Sequence, residues 1–440
     1  MKTSAILGRN ARNQLYSKVY NSARGKSIAA SKIRTKRYLK KEGIPIPEIF
    51  AIFKKPQDIL GFDWSKLPSS FVLKPNKGLG GNGIIIVKKK SEDGDGWITT
   101  LKRKVGEEDL KLHILDILEG AFSISNVPDI AYIEEFVGRH KAFRKYAYRG
   151  TPDIRVIVFN KVPVMAMLRL PTKESKGRAN LHQGAIAVGI DIATGITTKA
   201  IWHDKIIHHK PGTKRKLHGI KIPNWTRVLK LAVESGRSID LNLFGSDIIL
   251  HPDKGPMILE INYMPGLAIQ LANEAGLRKR LEKVEDLKIQ DAEHGVKVAK
   301  ALFASSFSDR VKVKEGIKTL SVFEEIKIKS VAGKKFKTVA KLDTGAWRTS
   351  IDRALAEDLG LLDKENVLWY KKVKGAIGSE KRPVINLTYW LAGRKITTPA
   401  SVAKRLSLKF PVIIGRKNLK GILIDPEITA EEKKEIVQKV

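Results

Sequence analysis

Cysteine is absent from all 440 residues, which excludes disulfides, thiolate nucleophiles and Cys-type zinc or iron–sulfur centres and leaves the redox compartment open. No apolar run reaches the roughly 20 residues that cross a bilayer, and no secretory-type leader opens the chain. The expectation is therefore a cytoplasmic protein that makes no membrane contact. Acids are missing from residues 1–41, which hold twelve Lys or Arg, and histidine is missing after His294. What is abundant is positive charge: 82 Lys and Arg against 46 Asp and Glu leave a net +36. Such a field attracts polyanions, whether nucleic acid, anionic membrane or acidic peptide, and it also serves solubility. A nucleic-acid-binding reading competes on charge, but the chain has no RNP, KH or zinc-finger motif and no basic–aromatic interleaving.

The length suits about three domains. The basic segment 1–30 carries no sustained apolar stripe, so it must dock on something or bind something. SKIRTKRYLKK from Ser31 reads as a basic helix stopped by Gly43, with Ile33, Tyr38 and Leu39 facing a core. Residues 71–87, FVLKPNKGLGGNGIIIV, read as strand, glycine loop, strand. Gly78, Gly80, Gly81 and Gly83 let backbone N–H groups close over phosphates, with Lys74 and Lys77 supplying charge. Because the glycines open no helix, this is neither a Walker A loop nor a dinucleotide fingerprint.

IEEFV then ends a strand at Glu134 to Val137, and PDIRVIVFN with VPVMAMLRL forms an alternating pair that places Arg155 and Arg169 near strand ends. The polar loop PTKESKGRANLHQG offers Arg178, Asn180 and His182 to a ligand. Histidines 203, 208, 209 and 218 crowd a basic stretch without metal-ligand spacing. In FGSDIILHPDKGPMILEINYMPG, residues 244–266, two apolar runs flank a turn. Alternation puts Asp247 on one strand opposite Glu260 and Asn262 on the next, a set of oxygen donors suited to Mg²⁺ shared with phosphates.

In this order the motifs SK…GIPIP, LKP…GLGGNG, IEEFV, DIRV, RANLHQG, GSDI and EINYMPG resemble the ATP-grasp superfamily, and within it the RimK-like, alpha-L-glutamate ligase-like proteins. The resemblance implies an α+β fold in which two subdomains clasp ATP. It implies that Lys32, Lys74 and Lys77 hold nucleotide phosphates under the Gly78–Gly83 loop. Glu134, Glu135, Phe136 and Val137 would form the adenine hinge, and Asp247, Glu260 and Asn262 would hold Mg²⁺, or Mn²⁺ in its place. Arg178, Asn180 and Arg169 would steady an acyl phosphate. The chain departs from the family in having Ser31-Lys32 where Asp-Lys is usual, in the short stretch preceding that lysine, and in the insertion-like HKAFRKYAYRG after the hinge.

From about Lys318 the pattern turns strand-rich around TVAKLDTGAWRTSID and PVIIGRKNLKGILIDP. This resembles the retropepsin-like fold of the small domains called ATP-dependent zinc proteases. Zinc lacks ligands here, since no Cys occurs and no His follows His294. Asp343 would need a second carboxylate, hence a homodimer through this domain. The expected organisation is a basic segment 1–30, a ligase domain 31–305, a linker 306–318, an all-β domain 319–428 and a tail 429–440. The expected activity is ATP-dependent amide formation between a carboxylate and an amine, on an acidic small-molecule or peptide substrate. The alternatives are another carboxylate substrate with a non-catalytic docking domain, and nucleic-acid binding.

Overall fold

The computed structural model describes residues 5–78, 80–123, 126–304, 318–375, 378–404, 410–420 and 422–425. The expected linker and tail fall wholly or largely outside them. The chain divides into two compact units, Met1–Val296 and Lys297–Val440.

In the first unit the basic N-terminal stretch is docked against its own chain. Helical turns from Arg9 to Tyr20 lead into α1 (Ala23–Ala29) and α2 (Lys32–Lys41), capped by Ser22 and Ser31, whose hydroxyls accept from Gly25 N and Arg34 N. An Ncap oxygen satisfies a backbone donor that would otherwise lack a partner. Leu7 exchanges hydrogen bonds with the Gln270 side chain at 2.9 and 3.1 Å. Asn21 pairs with the backbone of residues 242 and 243 at 2.7–2.9 Å, and Arg12 donates to Pro265 O at 2.5 Å. Ile33 and Leu39 are buried as expected, but Tyr38 is only half-buried and Lys36 takes an inward position. The inward lysine has a charged partner in Glu134.

The first sheet runs β1 (Ile49–Phe53), β6 (Ala131–Glu135), β2 (Phe71–Pro75), β3 (Ile85–Lys90), β4 (Trp97–Thr99), β5 (Lys104–Val105). Alternation sends Phe71, Leu73, Val87 and Ile133 onto α3 (Glu107–Leu118), which answers with Leu110, Ile114 and Ile117. The same period of two leaves Lys74 and Glu134 on the opposite face.

The second sheet runs β11 (Lys205–Ile207), β10 (Thr197–Trp202), β9 (Ile186–Ile190), β8 (Val162–Leu170), β7 (Asp153–Phe159), β12 (Leu243–His251), β13 (Gly255–Asn262). The hairpin of β12 and β13 sets Asp247 opposite Glu260, with a bulge after Asp247. Helix α4 (Trp225–Ser238) leads into it, and a side chain on Gly236 would come within 2.0 Å of the Phe244 ring.

The second unit is mainly strands. β14 (Lys318–Ser321) pairs in parallel with β22 (Ile422–Asp425). β15 (Phe323–Lys329), β16 (Lys335–Asp343), β21 (Val412–Gly415), β17 (Ser350–Asp352), β20 (Arg394–Ala403), β19 (Gly378–Leu391) and β18 (Val367–Gly375) follow in sheet order. A further β15·β19 pairing folds this sheet back on itself around Ile326, Leu342, Ile385, Tyr389 and Ile414. Two parallel pairings, β16·β21 and β17·β20, interrupt the otherwise antiparallel order. Asp343 ends β16 directly beside Gly415.

Candidate functional site

Cross-strand register builds the charged centre of the first unit. Arg155 lies beside Asp247, which lies beside Glu260, across β7, β12 and β13. Arg169 on β8 lies beside Asp153 on β7. Arg155 makes a bidentate pair with Asp247 at 2.7 and 2.6 Å, while Arg169 forks onto Asp153 at 2.5 and 2.7 Å and adds a 2.7 Å bond to Asp247. The planar guanidinium suits such double contacts.

These groups are buried, and their proton affinities diverge. Burial pushes the Asp153 carboxyl up to about 6 against the pull of Arg169. Burial also opposes ionisation of Asp247, but the two guanidinia prevail and hold its carboxyl below the usual range. Asp153 and Arg155, two residues apart on one face of DIRV, are participants that the sequence reading left out of its site. The alternation that brought them together was there to be read.

The glycine loop meets the 171–184 loop. Asn180 Nδ2 donates to Gly80 O at 3.0 Å, and a side chain on Gly81 would touch Arg178 at 3.4 Å. Gly80, Gly81 and Gly83 have φ of +67°, +83° and +70°, a region in which a Cβ is strained. His182 stays exposed, its N–H bonded to Asn180 Oδ1. Lys32 ties this loop to the metal candidates, donating to Gly78 O at 2.9 Å with Glu260 at 3.3 Å. Lys77 contributes its backbone N–H to Asp129 at 2.7 Å.

Two assignments change. Glu134 lies within β6, next to its last residue, paired on one side with Ile49 and on the other with Val72, so it is a ladder residue rather than part of an open hinge. Its side chain is fully buried between Lys36, 2.9 Å away, and Lys74. Burial disfavours the charge of Glu134 and of Lys36. The lysines nonetheless hold the Glu134 carboxyl below its normal range, whereas burial leaves Lys36 depressed. Lys74 is thus engaged with Glu134 and not free to reach a phosphate without leaving it.

Beyond Glu134 the chain opens. Glu135 pairs with Lys254 at 2.5 Å and bonds the backbone of Glu48, Phe136 lines a cleft, and Val137 packs on Ile249 and Met257 while its carbonyl accepts from Thr151.

Among the described residues no three His, Asp or Glu side chains gather as a metal cage. Mg²⁺ rarely uses such a cage, taking one or two carboxylates together with substrate phosphates. Glu260 is one-third exposed, and Asn262 uses its NH₂ toward Asp247 at 3.3 Å, leaving its carbonyl oxygen to accept. Asp247 becomes available only as a guanidinium releases it. The set fits a phosphate-shared ion.

In the second unit Asp343 Oδ1 accepts from Gly345 N at 2.9 Å and Ala346 N at 3.1 Å, closing a tight turn. Gly415 packs against it so closely that a Cβ there would lie 2.5 Å from the Arg348 carbonyl carbon. Trp347 on this turn is exposed, with Arg416 over its ring at 5.1 Å.

Two sheets, a glycine loop between strands and a D…E-x-N hairpin define an ATP-grasp unit. The family model described as sugar-transfer associated ATP-grasp matches residues 11–286, well over half the chain, and the chain belongs to that family. A probable alpha-L-glutamate ligase of Stenotrophomonas maltophilia (strain K279a) is 24% identical over 259 residues, covering 58% of this chain and 65% of that protein. The chain thus spans just under two thirds of that relative. Among solved structures, the ATP-grasp ligase PsnB complexed with a phosphomimetic variant of its minimal precursor, Mg and ADP is 14% identical, covering 61% of this chain and 62% of that one, with a TM-score of 0.34. The D-alanine–D-alanine ligase of Bacillus anthracis complexed with ATP is 15% identical, covering 62% and 75%, with a TM-score of 0.32. Among the described residues no helix is long and apolar enough to cross a membrane.

Proposed function

We propose that residues 31–305 are an ATP-dependent carboxylate–amine ligase of the glutamate-ligase type, forming an amide through an acyl phosphate. The observation that carries this reading is Lys32, which bridges the Gly78 carbonyl and Glu260 and so joins the phosphate-type loop to the metal-type hairpin. The residues then have separate tasks. Loop N–H groups and Lys32 hold phosphate oxygens, Asn180 keeps the loop closed, and Arg178 meets the charge of the acyl phosphate as it forms and collapses. Arg169, presented by Asp153, and Arg155, held by Asp247, meet negative charge that develops on the transferred phosphoryl group and on the oxyanion of the tetrahedral intermediate. Asp247, Glu260 and Asn262 would hold Mg²⁺, which supplies Lewis-acid polarisation and charge neutralisation when bound. No side-chain nucleophile is needed.

The protein incubated with ATP, magnesium, glutamate and candidate amine acceptors should give ADP, phosphate and a product heavier by one or more condensed residues. Absence of ADP with every carboxylate tried would overturn the ligase reading.

For residues 319–428 the Asp343 turn favours an aspartic-peptidase-like reading. One such turn per chain requires two chains to share a proton between their Asp343 carboxyls. Asp343→Asn should abolish hydrolysis of the ligation product and leave ligation intact. A monomer in light scattering would rule this mechanism out.

A further inference from the structure

Beyond the hinge, the first unit contains an open cleft of about 900 Å³. Its walls carry six cations: Lys88 and Lys89 from β3, Lys102 from the turn after β4, and Arg139, Arg144 and Arg149 from the segment following the hinge. One acid, Glu92, lines it, and that acid pairs with Lys89 at 2.7 Å. Among the described residues no carboxylate forms an ion pair with any of the other five. More positive charge stands behind them. The Lys210 ammonium donates to Lys145 O at 3.3 Å, and Arg215 lies over the Tyr146 ring at 5.6 Å. Burial together with Arg215 and Arg139 depresses Lys210, and burial with Lys141 and Arg144 depresses His140. The fold thus keeps mutually repelling cations together with Glu92 as the one acid lining them, a cost that a bound polyanion would relieve.

We propose that this cleft receives an acidic peptide, the acceptor of ligation, through several of its carboxylates; the proposal rests on the ligase reading above. Three features select that occupant. The cleft begins at Phe136 and Gly138, where the hinge of the proposed ATP site ends, so an extended chain lying in it runs alongside that site. A peptide offers both the amine and the carboxylates that ligation consumes. The cleft also offers little for base stacking: Phe136 is its one aromatic lining residue, and the nearby Tyr146 and Tyr148 rings are covered by Arg215 and Arg149.

The test measures binding of a fluorescein-labelled oligoglutamate to the full chain by anisotropy, without ATP. The oligoglutamate should bind, and affinity should fall as salt rises from about 50 to about 200 mM. Lys102→Ala with Arg144→Ala, two exposed positions outside the ligation machinery, should weaken binding about tenfold. The melting temperature should match that of the unaltered chain. Oligoglutamine should not bind, and an oligothymidylate of equal charge should bind more weakly. Unchanged oligoglutamate affinity in the double variant, or tighter binding of oligothymidylate, would overturn the proposal. Because the assay uses no turnover, a failure to form ADP would count against the ligase reading alone.

Discussion

Within the proposed ligation site most cations have an anion: Lys32, Lys36, Lys74, Arg155 and Arg169 each lie within 3.3 Å of a carboxylate, while Arg178, among the described residues, reaches only the Gln183 side chain. A short way along the same unit, Lys88, Lys102, Arg139, Arg144 and Arg149 share a cleft in which the single acid is already paired with Lys89. Both regions are basic, but the charge does different work. Buried pairs hold side chains in place, since losing one partner strands the other in a low-dielectric interior, whereas exposed unpaired cations can wait in water for an external ligand.

If that contrast is right, the largest effect should come from breaking a buried pair. Lys36→Met leaves Glu134 with Lys74 alone and should cost about 3 kcal/mol of stability in denaturant unfolding, while Lys102→Ala should leave the midpoint unmoved. A Lys36→Met protein as stable as the parent would erase the distinction. Next, Glu260→Gln should lower kcat at least about 10²-fold, because it weakens the clamp on the transferring phosphoryl group. Near-normal ATP turnover would remove Glu260 from the site.

A smaller effect, about tenfold, is expected for Arg178→Ala. It should fall on kcat more than on KM for ATP, since the charge matters most while the acyl phosphate forms and collapses. A change confined to KM would make Arg178 a simple nucleotide contact.

The smallest effect concerns acid. The Glu134 carboxyl lies below the roughly 4.3 of an unfolded glutamate, so its pairing stabilises the fold above that pH and is lost as pH falls through the folded value. Glu134→Gln should therefore flatten the acid limb of a stability–pH curve, and an unaltered limb would show that Glu134 contributes nothing there.

Much of this was legible in the sequence. Period-two alternation placed Asp247 opposite Glu260, and glycine density marked the loop whose φ values are positive. Where residues 5–41 dock was not, because their partners Gln270, Leu243 and Pro265 lie more than two hundred residues away. The inward position of Lys36 was not legible for a related reason. A helical pattern alone assigns a lysine to solvent, and only a carboxylate arriving from β6 makes an inward position tolerable.

Composition and spacing by themselves determined that no thiol chemistry occurs, that strands flank a glycine loop, and that D…E-x-N shares one face, since these follow from residue types and local periods. Only the tertiary structure decided which cations are spent on carboxylates and which remain open. Pairing depends on where separate strands and loops bring charges within a few ångströms, and neither composition nor periodicity carries that distance.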